Sequence, residues 1–147
     1  MIRATTFLLF LFTLNSLQAQ EISYPSDVNT SEFKLVIKGI SKIEGEIRIA
    51  VFDSKEKYKK DPIHAVVLPV DSTTIVWVNN ELPQGNYAIA VYHDKNKNGK
   101  IDTNLLGIPK EDYGFSNDAR GKFGPASWND AVFKVSEPKH VAEITIK

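Results

Sequence analysis

The sequence predicts an all-β fold, a seven-strand antiparallel β-sandwich. The first observation behind this prediction is that apolar and polar residues alternate in short runs along most of the chain. The second is that glycine, proline and asparagine separate these runs, as they do in turns between strands. No run carries the helical spacing of apolar residues that an amphipathic helix needs. Since an antiparallel sheet can leave one face in water, the pattern favours two sheets that share one core.

The predicted strands begin after residue 32 and continue to the end of the chain. They lie at 33–37, 47–51, 64–70, 74–78, 87–91, 132–135 and 141–146. Segment 55–60 is expected to add one exposed helical turn. In several runs every other residue is apolar, which predicts that these side chains face the core. The residues expected to be buried are Leu35, Ile37, Ile47, Ile49, Val51, Tyr87, Ile89, Val91 and Phe133.

The amino-terminal segment has the composition of an export signal. It begins with a basic residue, continues through an apolar run at 7–14 and ends at Ala19, a small residue suited to signal-peptidase cleavage. The apolar run is too short to cross a bilayer core of about 30 Å, so no membrane span is expected. We therefore predict a signal peptide at 1–19, a loose leader at 20–31 and one domain at 32–147, exported to the periplasm or to the exterior.

Charge and cysteine content exclude several classes of function. The chain has 18 lysine and arginine residues and 18 aspartate and glutamate residues. Removal of Arg3 with the signal peptide leaves 17 basic residues against 18 acidic ones. The overall charge of a nearly neutral chain gives no electrostatic basis for binding nucleic acid or an anionic membrane surface. Because the chain contains no cysteine, no disulfide stabilises this exported domain, and a bound metal ion is one substitute.

A long segment at 94–130 separates the fifth predicted strand from the last two. It contains no strand-like run, and it holds five of the eight glycines. Loops of more than about 15 residues in a compact domain are usually functional or disordered. We expect an ordered lobe here, because the segment has apolar side chains that can pack together. They are Ile101, Leu105, Leu106, Ile108, Tyr113, Phe115, Phe123 and Trp128.

The lobe opens with a sequence typical of a calcium-binding loop. Residues 94–102 read D-K-N-K-N-G-K-I-D, which places oxygen-bearing side chains at alternate positions and a glycine at the sharp bend. A lysine in the middle of such a loop offers its backbone carbonyl. The sequence therefore predicts a Ca²⁺ site. Its expected ligands are Asp94, Asn96, Asn98, Lys100 and Asp102.

The predicted calcium site is incomplete at its last position. The twelfth residue, where helix–loop–helix calcium sites have a bidentate glutamate, is Leu105. A final ligand must then come from elsewhere, and Glu111 and Asp112 are the nearest acidic candidates, with Asn104 as a neutral one. The low charge of the ligand set predicts a dissociation constant of about 10⁻⁴–10⁻³ M. The alternative is a solvated turn in which the Asp and Asn side chains satisfy their own backbone.

Other residues of the lobe offer a second kind of binding. Tyr113 and Trp128 present aromatic surfaces for a sugar or a peptide, and Arg120, near Asn117, has the geometry to clamp a carboxylate. One alternative is that the aromatic residues form a small core for the lobe. The other is that the arginine makes an internal salt bridge. Its possible partners are Asp112, Asp118 and Asp130.

A catalytic role has less support in the sequence. His93 and Asp94 are neighbours on a predicted strand, so their side chains face opposite sides. Ser116 has no evident base partner.

Two sets of residues resemble known proteins. Residues 82–91, L-P-Q-G-N-Y-A-I-A-V, resemble a turn and central strand of transthyretin-like and collagen-adhesin B-type domains, which implies a transthyretin-like or immunoglobulin-like sandwich. A longer ordered set resembles a bacterial family of exported proteins, domain-of-unknown-function family 2141. It comprises 85–94, 96–104, 107–117, 119–121, 124–125 and 130–133. This resemblance implies compartment and fold but no reaction, because the family has no established activity.

These expectations combine into one function and one alternative. The function is an exported, calcium-stabilised β-sandwich binding module of unknown ligand at the bacterial envelope, with a protein or a glycan as partner. The alternative is a hydrolase or other enzyme with its active site in the lobe at 94–130. A pocket that holds clustered acid and base groups with shifted pKa values favours the enzyme, and a fully packed lobe favours the module.

Overall fold

The structure, a computed structural model, describes residues 29–147 and confirms the predicted all-β fold. In chain order the elements are β1 (Thr30–Lys38), β2 (Glu46–Phe52), β3 (His64–Pro69), β4 (Ile75–Pro83), β5 (Gly85–Asp94), β6 (Tyr113–Phe115), a 3₁₀ turn (Ser116–Asp118), α1 (Trp128–Ala131), β7 (Phe133–Val135) and β8 (Lys139–Thr145). The described part of the chain has eight strands where seven were predicted, because the lobe contributes the short strand β6.

The amino-terminal predictions fall mostly outside this range. The predicted signal peptide at 1–19 and most of the predicted leader at 20–31 lie outside the described residues. The end of the leader belongs to β1, which begins at Thr30. Ser31 is buried there, and its hydroxyl donates a hydrogen bond to the backbone carbonyl of Glu137. Across residues 29–147 no helix has the length and hydropathy to span a membrane.

The strands form two sheets. β1 lies between β4 and β8 in a three-stranded sheet, and the five-stranded sheet has the order β3-β2-β5-β6 with β7 also paired to β5. β1 and β8 run parallel, with Leu35 opposite Ala142 and Ile37 opposite Ile144. The prediction of a purely antiparallel arrangement is therefore wrong. Side chains alternate in the same way in both kinds of pairing, so the apolar pattern does not encode strand direction.

The inward faces of the two sheets share one hydrophobic core. The predicted buried residues of β1, β2 and β5 are confirmed, since none of them exposes more than 4% of its surface. Phe133 differs from the prediction, because it is half-buried at the margin of the core, where its ring stacks on Phe33 at 5.8 Å. The last part of the chain also enters this core, and Ile144 and Ile146 are almost completely buried.

A second, smaller apolar cluster lies on the outer face of the five-stranded sheet. It brings together Phe52, Tyr58, Phe115, Ala126 and Ala131. Segment 54–61 forms the expected turn, in which the N–H of residue 58 donates to the carbonyl of residue 54 at 3.1 Å. The turn was expected to be exposed, but its tyrosine is buried. This cluster fastens the later part of the lobe to the sheet.

The lobe at 94–130 is ordered, but it has less apolar packing than expected. Phe115 is buried, and Tyr113 and Trp128 are half-buried against the second cluster. In contrast, Leu105 and Phe123 are completely exposed, and Leu106 is 83% exposed. The expectation that these three side chains pack inside the lobe is therefore wrong. Their segments carry the glycines and charges of a surface loop.

Candidate calcium loop and adjoining cavity

The predicted calcium loop begins where β5 ends, at Asp94. Side chains alternate along β5, so Asp94 faces the outside of the sheet while His93 faces the core. On β2, Glu46 lies opposite Asp94, and Arg48 lies two residues further along on the same face. The strand register thus places an arginine and a glutamate beneath the start of the loop. The loop motif alone did not indicate either of them.

Asp94 is fully buried and organises the bend of the loop. Its Oδ2 accepts hydrogen bonds from Arg48 Nε and from the N–H of Gly99, both at 2.8 Å, and its Oδ1 accepts the N–H of Asn98 at 3.1 Å. Arg48 also donates to Glu46 through Nη2. Burial alone raises the pKa of Asp94, but these three hydrogen bonds outweigh burial and hold that pKa below its ordinary value. Asp94 is therefore ionised at neutral pH.

Asn96 and Asn98 converge on Asp102. The Nδ2 of Asn96 donates to Asp102 Oδ2 at 2.7 Å, and the Nδ2 of Asn98 donates to Oδ1 at 3.0 Å. Each amide oxygen also accepts a backbone N–H, Asn96 Oδ1 from Asn98 at 3.1 Å and Asn98 Oδ1 from Lys100 at 2.8 Å. The polar side chains of the predicted loop are thus brought together and hydrogen-bonded to one another.

Glu111 joins the two ends of this loop. It is buried, its Oε1 accepts the N–H of Lys95 at 3.0 Å, and its Oε2 accepts the N–H of Asp102 at 3.0 Å. The N–H of Lys110 donates to the carbonyl of Asp102 at 2.8 Å and adds a third connection. Glu111, one of the acidic residues predicted to supply the last ligand, therefore lies beside the loop and binds its backbone near both ends.

The other candidates for the last ligand position have different partners. Asp112 pairs with the Nζ of Lys95 at 3.0 Å and lies 3.5 Å from the hydroxyl of Ser41. The Oδ1 of Asn104 accepts the N–H groups of Leu106 and Ile108 at 2.9 and 3.0 Å in the following hairpin. Glu111 thus binds the loop through its backbone N–H groups, whereas Asp112 contacts it through the side chain of Lys95.

The donor set fits a hard cation in its chemistry. Carboxylate oxygens of Asp94 and Asp102 and amide oxygens of Asn96 and Asn98 share one turn, and oxygen is the ligand that Ca²⁺ prefers. Within residues 29–147 no three His, Cys, Asp or Glu side chains group closely enough to hold a metal ion. Moreover, Arg48 already neutralises part of the charge of Asp94. An ion would depend on amide and backbone oxygens, in line with weak affinity.

A cavity of about 450 Å³ adjoins the loop on the outer face of the five-stranded sheet. Its described lining is almost entirely apolar, with Lys59 as the one charged side chain and with no carboxylate, histidine or serine. A shallower depression of about 260 Å³ shares Ala90 and Tyr92 with it and reaches Arg48. The lining residues include Phe52, Tyr92, Ile101, Pro109, Tyr113 and Phe115.

Among the four residues predicted to bind a ligand, Tyr113 lines this cavity. Arg120 instead donates to the backbone carbonyls of Tyr113 at 3.0 Å and of Thr145 at 3.2 Å, and its guanidinium lies 5.1 Å from the Tyr113 ring. The alternative of an internal salt bridge is wrong for the described chain, because no carboxylate lies within 4 Å of the arginine there. Arg120 therefore joins the start of β6 to the end of β8 through hydrogen bonds to their backbone carbonyls.

Asn117 and Trp128 also hold the lobe together. The Nδ2 of Asn117 donates to the carbonyls of Asp130 at 3.1 Å and Val132 at 2.9 Å. Asn117 adopts a left-handed conformation with φ of 62°, which asparagine tolerates better than most residues. Trp128 lies edge-on to Tyr58 at 5.7 Å. These contacts hold the segment that follows β6 against the sheet.

The residues considered for catalysis have hydrogen-bonding roles. The Nε2 of His93 lies 2.6 Å from the carbonyl of Glu44 inside the core. The hydroxyl of Ser116 accepts the N–H of Ile89 at 3.0 Å and donates to the carbonyl of Ala131. Ser116 thereby fills the gap between β6 and β7, which pair one after the other with β5. It lies within the strand ladder, outside the cavity lining.

Comparison with known proteins identifies a family. No curated protein and no solved structure matches the chain. Residues 35–143, from β1 to β8, match a family model with the description "Uncharacterized protein conserved in bacteria (DUF2141)". The match includes the predicted calcium loop and all the described residues that line the cavity. Since it covers well over half of the chain, the protein belongs to the DUF2141 family of uncharacterized bacterial proteins.

Proposed function

We propose that the protein is an exported, calcium-stabilised binding module of the bacterial envelope, and that a protein or glycan ligand occupies the cavity beside the loop. One observation carries the proposal. In the loop, the carboxylates of Asp94 and Asp102 accept hydrogen bonds from its other polar groups. The same segment forms part of the cavity wall through Ile101 and Thr103. The amino-terminal composition supports export, since it is that of a cleaved signal.

In this proposal calcium acts on the shape of the binding surface. After Asp102 the chain forms a hairpin in which Thr103 pairs with Pro109, and both residues line the cavity. An ion bound by the loop fixes Asp102 and with it the first strand of the hairpin. Calcium thereby orders a wall of the cavity and takes no part in a reaction.

The cavity lining supports binding over the alternative of an enzyme. Tyr92, Tyr113 and Phe115 offer aromatic surfaces that suit a sugar ring or an apolar side chain. General acid–base chemistry needs a positioned pair of titratable groups, and the described lining provides a single lysine with two tyrosines.

We further infer that the two sheets form a transthyretin-like sandwich, with the immunoglobulin-like type as the alternative. The turn between β4 and β5 supports this inference. Pro83 ends β4, Gly85 begins β5, and the hydroxyl of Tyr87 donates to the Pro83 carbonyl at 2.6 Å. A crystal structure, compared strand by strand with both types of sandwich, tests the inference.

Thermal unfolding with calcium and with chelator tests the metal site. If Ca²⁺ binds the folded state with a dissociation constant of about 0.1 mM, about 1 mM calcium adds about 1.4 kcal/mol of stability. For a domain of this size we expect the melting temperature to rise by a few degrees and to fall back when chelator is added. Asp102→Asn removes a loop carboxylate that lies away from the core, so it should abolish the rise and leave the protein folded.

Asp112→Asn is the matched control, since it removes a nearby carboxylate that pairs with the Lys95 ammonium group and makes no hydrogen bond to the loop backbone. It should retain the calcium response. Asp94→Ala would destabilise the fold as well as the metal site, because it leaves the partly buried guanidinium of Arg48 without its carboxylate partner. If the melting curves in calcium and in chelator are equal and a calorimetric calcium titration gives no heat, the calcium site is wrong and the loop is a solvated turn.

A further inference from the structure

Two loop tips of the lobe hold large apolar side chains in water. Leu105 and Leu106 lie at the tip of the hairpin that follows the calcium loop, with relative exposures of 106% and 83%. This tip is an ordered turn, because the N–H of Asn104 donates to the carbonyl of Ile108 at 2.8 Å and its side chain accepts two further N–H groups. A well-formed turn thus presents two leucines to solvent.

Phe123 lies at the tip of the neighbouring loop and is also completely exposed, at 103%. Gly107, beside the leucines, and Gly124, beside Phe123, both line the cavity, so the two tips share its rim. We call Leu105, Leu106 and Phe123 the apolar rim. Clustered exposed apolar side chains of this size mark a surface that contacts an apolar phase or a partner.

Several lysine residues lie beside the same cavity as the apolar rim. Each is exposed and lies in the cavity lining or within two residues of it, and none forms a salt bridge with any residue from 29 to 147. Segments 97–110 and 119–126 each carry a net charge of +2. A chain that is neutral overall therefore has a positive region around its most exposed apolar side chains. The lysines are Lys59, Lys100, Lys110 and Lys122.

We propose that the apolar rim docks the protein onto the surface of an anionic phospholipid bilayer. Leu105, Leu106 and Phe123 enter the acyl-chain region, and the lysine ammonium groups lie among the headgroup phosphates. A fluid hydrocarbon layer accepts protruding side chains without a preformed pocket, whereas a protein partner must supply a complementary surface. A second copy of this chain would bring a second positive rim, and the two would repel.

This docking goes beyond the proposed function and does not require calcium. The side chains of the rim and of the surrounding lysines lie outside the predicted ligand set, in which residue 100 offers only its backbone carbonyl. Docking also sets the orientation of the molecule, since it turns the mouth of the cavity toward the bilayer. Binding to vesicles is therefore measured both in calcium and in chelator, so that failure of the metal site and failure of docking are distinguishable.

Vesicle flotation tests the proposal with two compositions, phosphatidylcholine alone and phosphatidylcholine with an equal part of phosphatidylglycerol. We expect the protein to bind the anionic vesicles at least about tenfold more tightly, and this binding to weaken as ionic strength rises. Leu105→Asn/Leu106→Asn should lower binding about tenfold or more. Lys110→Glu/Lys122→Glu should lower binding to the anionic vesicles and leave binding to the neutral vesicles unchanged.

Matched controls lie on the outer face of the three-stranded sheet. Val141→Asn removes an apolar side chain that is 61% exposed, and Lys34→Glu reverses an exposed lysine. Both variants should bind as the unaltered protein does. Phe123→Trp gives a direct signal, since its emission should shift to the blue on anionic vesicles, whereas that of Val141→Trp should not.

Three results would overturn the proposal. The first is no flotation with anionic vesicles. The second is an equal loss of binding in Val141→Asn and in Leu105→Asn/Leu106→Asn. The third is sedimentation that shows an oligomer of the unaltered protein and a monomer of the double variant, which assigns the rim to self-association.

Discussion

Tyr58 joins the turn after β2 to the lobe, although a position among lysines predicts an exposed side chain. Its ring lies edge-on to Phe52 at 5.3 Å and to Trp128 at 5.7 Å, and its hydroxyl donates to the carbonyl of Ala126 at 3.1 Å. Burial of Tyr58, and in second place the charge of Asp130, raise its pKa to about 12. The packing of these two segments therefore depends on the Tyr58 hydroxyl staying protonated, and alkaline pH weakens it.

The direction of this coupling follows from the two pKa values. An exposed tyrosine of the unfolded chain has a pKa of about 10. Because the pKa of Tyr58 is higher in the folded state, its contribution to stability is complete below about pH 10 and is lost as pH rises through about 12. Tyr58→Phe should cost about 1 kcal/mol at neutral pH, through the lost hydrogen bond. It should also reduce the loss of stability above about pH 10.

Urea unfolding of both proteins across this pH range measures the effect. The phenylalanine variant keeps the two aromatic contacts, so a difference between the two curves reports the hydroxyl. The expectation fails if stability declines with pH by the same amount in both proteins.

The individual residues of the candidate site were predictable to different degrees. Asp94, Asn96, Asn98 and Asp102 are close in sequence, and their spacing alone indicates that one turn gathers them. Arg48 comes from another strand and reaches Asp94 only through the register of β2 with β5. A local motif contains no information on that register.

At the level of elements, Glu111 connects the predicted calcium loop to β6. Its two carboxylate oxygens hold the N–H groups of Lys95 and Asp102, and β6 begins two residues later, at Tyr113. Glu111→Ala should therefore speed amide hydrogen exchange in segment 95–110 at least about tenfold, while exchange at Leu35 and Ile89 stays unchanged. Hydrogen-exchange mass spectrometry with peptide resolution makes this measurement.

Asp112→Ala is the control for this experiment, because it removes the adjacent carboxylate, which contacts side chains only. Its exchange pattern should differ little from that of the unaltered protein. If Glu111→Ala raises exchange evenly in the core strands as well, the loop and the sheets unfold as one unit and the prediction is wrong.

The sequence predicted the long strands and the three-residue strand β7, but it did not predict β6. Runs such as 47–51 and 87–91 alternate over enough residues to reveal a buried face, and β2 and β5 lie there. β6 has three residues and includes Gly114. A Cβ atom at position 114 would lie only 2.7 Å from the side chain of Ile144, so the backbone packs closely there. A strand this short has no periodicity, and tertiary contacts define it.

For the whole molecule, the carboxyl-terminal residues connect the two sheets. The N–H of Ile146 donates to the carbonyl of Lys38, the last residue of β1, at 2.9 Å. Lys147 and Tyr113 exchange two backbone hydrogen bonds, which reach β6 in the other sheet. The side chains of Ile144 and Ile146 lie in the common core.

Ile146→Ala should lower the free energy of unfolding by about 2–5 kcal/mol, since it leaves a cavity between the sheets. Chemical denaturation measures this change, with one transition in both proteins. Val141→Ala, on the exposed face of β8, should change stability by less than about 0.5 kcal/mol. A similar small effect at residue 146 would show that the two sheets do not depend on this connection.

The position of β1 also determines when the chain can fold. β1 is the first described strand to leave the ribosome, yet it lies in the middle of its sheet, between β4 and β8. Its parallel neighbour β8 is the last of the described strands, so both edges of β1 can be paired only after all the described strands have been synthesised. A nascent chain that lacks β8 leaves Leu35 and Ile37 without the cover of Ile144. This topology therefore delays closure of the three-stranded sheet until β8 has been made.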